Sequence, residues 1–111
     1  MIEKIVLDHL AGILTVPVHM ETPSPDAGVF CVVEKSGSGE KNQIYDALVI
    51  VRSYANSLYK AAELNEEVKA AMKSLDEHDE VTDCLLNTDY AYQDPTTGRY
   101  RYQAVFNINH Y

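Results

Sequence analysis

The sequence predicts an α+β fold: one domain over residues 1–111, element order α-β-β-β-α-β-β, with a long helix packed on one face of a mainly antiparallel sheet. Three observations lead there. The stretch Gln43–Leu75 opens as an apolar, β-branched run, Ile44 to Val51, and then changes period. From Ser53 onward Tyr54, Leu58, Ala61, Ala62, Leu64, Val68, Met72 and Leu75 fall on one stripe of a helix, while Glu63, Glu66, Glu67, Lys69 and Lys73 occupy the solvated remainder. Near the C-terminus, two alternating runs flank Pro95-Thr96-Thr97-Gly98, a turn with proline early and glycine late. Strands and helices are segregated along the chain, the pattern of α+β folds.

Taken in order, Met1–Leu14 reads as a helix with Ile2, Ile5, Val6, Leu10 and Ile13 on one side, stopped by Thr15-Val16-Pro17 because the residue before proline is pushed to extended geometry. Val16–Glu21 reads as a short strand and Thr22–Gly28 as a loop rich in Pro, Ser and Asp. Val29–Lys35 is apolar on both faces and reads as a central strand. Ser36–Asn42 reads as a flexible glycine-rich connection, Gln43–Arg52 as the third strand, and Ser53–Leu75 as the long helix. The acidic exit Asp76–Glu80 leads to strand Val81–Asp94, which places Cys84, Leu86, Thr88, Tyr90 and Tyr92 on one face. The last strand, Arg99–Tyr111, places Tyr100, Tyr102, Ala104, Phe106 and Ile108 on one face and Arg101, Gln103, Val105, Asn107 and Asn109 on the other.

The net charge of −8 argues against a nucleic-acid-reading surface, which would show a basic patch. No apolar run approaches the ~20 residues that span a bilayer. The opening segment carries Glu3 and Asp8 within its apolar stretch, so it reads as a helix of the fold and not a secretory leader. Cys31 and Cys84 lie in predicted strands and read as reduced, small apolar residues, consistent with synthesis in a reducing cytoplasm.

No constellation carries chemistry. His9, His19, His78 and His110 lack the spacing of a recognisable metal site; His19 with Glu21 and a further acid is the nearest approach to a small metal-assisted hydrolase. Neither cysteine sits in the activated setting of a nucleophile. The glycine-rich connection lacks the lysine–serine pair and following helix that cradle a phosphate. The expectation is no enzyme, no cofactor and no metal.

The tyrosines are more informative. There are eight and no tryptophan, with Tyr90, Tyr92, Tyr100, Tyr102 and Tyr111 in the last hairpin. One reading packs them across strands beneath the helix; the other makes them a protein–protein surface. Two candidate interface segments follow. One is the exposed connection Ser36, Gly37, Ser38, Gly39, Glu40, Lys41 and Asn42. The other is the start of the last strand, with Tyr100 and Tyr102 beside Arg99 and Arg101; those arginines either meet a neighbour's acidic face or pair within the hairpin with Asp89 or Asp94.

Three segments, MIEKIVLDHL, VVEKSGSGEKNQIYDALVIVRSYANSLYKAAELNEEV and NTDYAYQDPTTGRYRYQAVFNINHY, together resemble the tail-terminator (tail-completion, minor tail or minor capsid) proteins of long-tailed phages and prophages. The likeness lies in a glycine-containing hairpin before an apolar strand, the run Ser53-Tyr54-Ala55-Asn56-Ser57 at a helix start, an aspartate-rich strand, a turn, and Arg101-Tyr102-Gln103. The resemblance implies a non-catalytic virion subunit that forms a ring, commonly a hexamer, at the head-proximal end of the tail tube. Its partners would be copies of itself, the tube protein and the head–tail connector, with DNA passing through unbound and no membrane involved. A head-completion adaptor on the connector side is the alternative within the same particle.

Overall fold

The structure is a computed structural model describing residues 1–23 and 28–111, so the centre of the predicted Thr22–Gly28 loop lies outside the described residues. The elements are α1 (Ile2–Ile13), β1 (Val18–His19), β2 (Phe30–Lys41), β3 (Ile44–Ala55), α2 (Leu58–Met72), a 3-10 turn (Leu75–Glu77), β4 (Val81–Ala91) and β5 (Tyr100–His110). The five strands form one sheet in the order β1-β2-β3-β5-β4, antiparallel throughout except for β1, which runs parallel to β2. The predicted class and element order are those observed.

Both helices lie on the same face of the sheet. Ile2, Val6 and Leu10 of α1 and Leu64, Val68, Ala71 and Met72 of α2 pack on Cys31 and Val33 of β2, Ala47, Val49 and Val51 of β3, and Ala104, Phe106 and Ile108 of β5. The stripe predicted for the second helix supplies that contact, and period-two alternation supplies the strands' share.

Four boundaries differ from expectation, each for a local reason. Ser53, Tyr54 and Ala55 continue β3 and do not begin the helix, because Tyr54 is buried and stacked on Phe30 with ring centroids 4.6 Å apart. The helix starts after Ser57, whose hydroxyl accepts the Lys60 N–H at 3.2 Å as an N-cap. It ends at Met72, and Leu75 falls in the 3-10 turn. The strand expected over Val16–Glu21 reduces to Val18–His19; Pro17 has no N–H, and its carbonyl accepts from Cys31 N at 2.9 Å.

The glycine-rich segment is the largest correction. Ser36–Lys41 is not a flexible connection but the second half of β2, paired with β3 as far as Lys41↔Ile44 and broken only by a bulge between Lys35 and Gly37. The turn shrinks to Asn42 and Gln43, with φ 55° and 67°. Positive φ at both positions is the twist that two-residue hairpin turns require. A Cβ at Gly39 would lie 2.5 Å from Asp46 Oδ1 on the facing strand, a contact that the exposed carboxylate can relieve by rotating.

β4 carries two further bulges, between Val81 and Asp83 and between Leu86 and Thr88, and the latter shifts its faces. Cys84 and Leu86 keep the helix side, but Thr88, Tyr90 and Tyr92 cross to the other side, and Asp89 turns toward α2. Tyr90 and Tyr92 are therefore not beneath the helix.

Gln43 pays the left-handed penalty that glycine avoids. Gln43→Gly is expected to stabilise the fold by roughly 0.5–1 kcal/mol, since the relieved strain exceeds the extra unfolded-state entropy. Chemical denaturation checks it, with the midpoint rising and the slope unchanged.

Candidate interaction surface

With both helices on one face, the other face of the sheet carries no helix; Phe30, Val32 and Tyr54 form a second small buried cluster there, beside Arg99 and Arg101, and the strand registers arrange the side chains of this face in transverse rows. One row runs Phe30, Tyr54, Arg101; the next Val32, Arg52, Gln103, Tyr90. Then come Glu34, Ile50, Val105, Thr88, next Gly37, Leu48, Asn107, Leu85, and finally a polar row, Gly39, Asp46, Asn109, Asp83. The first two rows are tied by side-chain contacts. Arg52 donates to Gln103 Oε1 at 3.0 Å and pairs with Glu34; Gln103 donates to the Tyr90 hydroxyl at 2.7 Å. The third and fourth rows carry Ile50, Val105, Leu48 and Leu85, and Leu85 stands 63% exposed.

The predicted arginines have defined places. Arg99 donates to the Gly28 carbonyl, and its guanidinium lies 5.0 Å from the centroid of the Phe30 ring. Arg101 donates to the Tyr92 carbonyl at 2.8 Å and the Tyr54 hydroxyl at 2.9 Å, lies 4.7 Å from the Tyr92 ring centroid, and comes within 3.9 Å of Asp94. These contacts lie within the chain: Arg101 approaches Asp94, one of the two acids named for pairing within the hairpin, while Arg99 meets the Gly28 carbonyl and the Phe30 ring. Tyr100 is exposed and Tyr102 half-buried, both on the helix side at the start of β5. Lysines 41, 60 and 73 make no ion pair among the described residues.

Asp94 anchors the hairpin turn. Its Oδ1 accepts from Thr96 N at 2.9 Å and Thr97 N at 3.3 Å. Burial alone would raise its carboxyl, but these N–H donors, the Thr97 hydroxyl and the Arg101 charge outweigh it and hold the pKa below the ordinary value.

Two features were not anticipated from sequence. Between α2 and β4 runs a groove of about 160 Å³, lined by Met72, Cys84, Leu86 and Phe106 and rimmed by Lys69 and Lys73. It exists because β4 lies at the sheet edge, where α2 covers only part of its width. Lys69 bridges Glu66 at 3.1 Å and Asp89 at 3.0 Å, and its ammonium pKa is raised chiefly by the Asp89 hydrogen bond. The second feature is that both long flanks of the sheet lack partner strands among the described residues. β1 covers only Cys31 and Val32, so β2 is open from Val33 to Lys41, and β4 is open along its outer side.

No set of three or more metal-ligating side chains converges among the described residues. His19 packs edge-on against Phe30 with ring centroids 6.0 Å apart, Glu21 is exposed, and among the described residues no third ligand joins them. Both cysteines are free thiols. Burial pushes Cys31 up to about 12 and Cys84 up to about 11, the opposite of an activated nucleophile. No described helix is long and apolar enough to cross a membrane.

Asp94 stabilises the folded chain fully above the ordinary aspartate pKa, and that contribution is lost as pH falls through its depressed folded value. Asp94→Ala is expected to cost about 1 kcal/mol at neutral pH, the size of a lost capping carboxylate. Urea midpoints check it, with the gap to the parent chain closing in strong acid.

No protein-family model matches the chain, and no curated protein matches it. Among solved structures, a chain of the virion of a native gene transfer agent particle shares the fold, with a TM-score of 0.56 and 13% identity over 95% of this chain and 90% of that one.

Proposed function

We propose that the chain is a structural subunit of a phage-like particle that assembles with copies of itself into a ring at the head-proximal end of the tail tube. There it ends tube polymerisation and joins tail to head. The observation that carries this reading is the half-covered sheet: helices close one face, while the other face beyond the buried Phe30–Val32–Tyr54 cluster carries exposed Leu85 and Tyr90, and both long edges lack partner strands among the described residues. Monomeric proteins blunt or cover such edges, because open backbone donors and acceptors pair with other chains. A closed ring uses two different patches on each subunit, which two unlike edges supply. The near-full-length fold likeness to a chain of a gene transfer agent virion supports a particle component, and the tail-terminator resemblance supplies the finer role.

The acidic balance fits a channel subunit. A net charge of −8 on each copy lines a ring with like charge toward DNA, which discourages sticking during passage, an effect screened by salt. Tube protein on one side and connector on the other are the partners this role requires, and it requires no cofactor.

Deleting the gene from the particle that encodes the chain tests the role. The expected result by electron microscopy is headless tails of irregular, extended length. Tails of normal length beside tailless, DNA-filled heads would assign the chain to the connector side instead. Normal, joined particles would overturn the whole reading.

A further inference from the structure

We infer that the subunits of this assembly join by continuing the sheet, with the outer edge of β2 on one copy paired antiparallel to the outer edge of β4 on the next. The inference deepens the ring reading and rests on its premise that the chain associates with itself.

Direction is the first argument. β2 is antiparallel to β3, β3 to β5 and β5 to β4, so β2 and β4 run in opposite directions at the two flanks of one sheet. Rotation about an axis roughly along the strands preserves those directions. The β4 edge of one copy therefore meets the β2 edge of its neighbour antiparallel, the more stable pairing, and the contact is heterologous as a ring demands.

Charge and register are the second. Lys35 and Lys41 stand six residues apart on β2; Asp83 and Asp89 stand six apart on β4. Setting Lys35 opposite Asp89 sets Lys41 opposite Asp83, Ser38 opposite Leu86, Gly39 opposite Leu85 and Glu40 opposite Cys84. Every one of these pairs falls on a common face. Lys35, Ser38 and Glu40 share the helix side with Asp89, Leu86 and Cys84, while Gly39 and Lys41 share the open side with Leu85 and Asp83. The bulge of β2, between Lys35 and Gly37, then lies opposite the β4 bulge between Leu86 and Thr88, so the register survives both. A shift of one residue would put every side chain on the wrong face.

The groove supplies the third argument. Glu40 opposite Cys84 arrives beside Lys73 on the groove rim, a lysine without an ion pair among the described residues. Lys41 is likewise unpaired there, and Lys35 reaches Glu3 only at 3.9 Å. Asp89 takes Asn65 and Lys69 on Oδ2, and Asp83 takes Asn109 on Oδ1, leaving each carboxylate a second oxygen in the described contacts. Gly39 leaves space over the protruding Leu85.

Glu40→Cys tests the contact with one substitution, because its partner is the native Cys84 of a neighbouring copy. Directly opposed antiparallel residues lie close enough for a disulfide. Catalysed oxidation of the concentrated full chain should give a non-reducing gel ladder of dimers, trimers and larger species. Adding Cys84→Ala should remove it. Since the Cys84 thiol is pushed up to about 11 and reacts slowly, the pair Lys41→Cys with Asp83→Cys gives a faster version with the same expected ladder. Dimers alone, persisting without Cys84, would mean symmetric association and overturn the inference. A parent chain that assembles by light scattering while neither variant gives a ladder would overturn this contact and leave the ring standing. A chain monomeric at every concentration, with no ladder from either variant, would overturn both.

Discussion

The antiparallel ladder between β3 and β5, running from Tyr45↔His110 to Ala55↔Tyr100, is the constraint on which the remaining structure depends. It joins the β2–β3 hairpin to the β4–β5 hairpin, segments far apart in sequence, and makes one sheet of them. The same ladder presents Val49, Val51, Ala104 and Phe106 as the central floor for α2. Closing this long-range contact costs loop entropy that no local interaction returns, so the apolar area buried beneath the helices must offset it. Because the ladder lies at the centre of the sheet, it also fixes which strands become edges.

That placement links packing to assembly. A sheet covered on one face by two helices buries one side of each strand and leaves the other for solvent or for neighbours. Here the uncovered side is ordered by its own contacts, with Arg52, Gln103 and Tyr90 in one chain of hydrogen bonds and Arg101 held between Tyr54 and Tyr92. Such a surface is preformed, so little side-chain entropy remains to be lost when a partner arrives. The bulges in β2 and β4 twist those edges and make them poor templates for arbitrary strands. A partner with matching bulges escapes that penalty, which favours another copy of the same chain.

Much of this was legible in the sequence. The change of period after Val51 identified a strand followed by a helix, and the alternation around Pro95–Gly98 identified the C-terminal hairpin. What sequence missed came from contacts made at a distance. Tyr54 fits a helical stripe, but its stacking on Phe30 holds it in β3. Ser36–Lys41 has the composition of a loop, yet pairing with β3 makes it strand. The bulge at Leu86–Thr88 leaves no mark in hydrophobic periodicity, so the faces of Tyr90 and Tyr92 came out reversed. Exposure and glycine content mark Ser36–Asn42 as an interface candidate, whereas the sheet edge formed by Ser36–Lys41 follows from the topology alone.

Amide hydrogen exchange, compared between the free chain and the chain in assembled particles, tests most directly the claim that the uncovered sheet is the assembling surface. Slowed exchange is expected in Ser36–Lys41 and Val81–Ala91, the two segments whose outer backbone groups lack partner strands among the described residues, with α1 and α2 little changed. Protection confined to the outward faces of the helices, with both edge strands exchanging as fast as in the free chain, would contradict it.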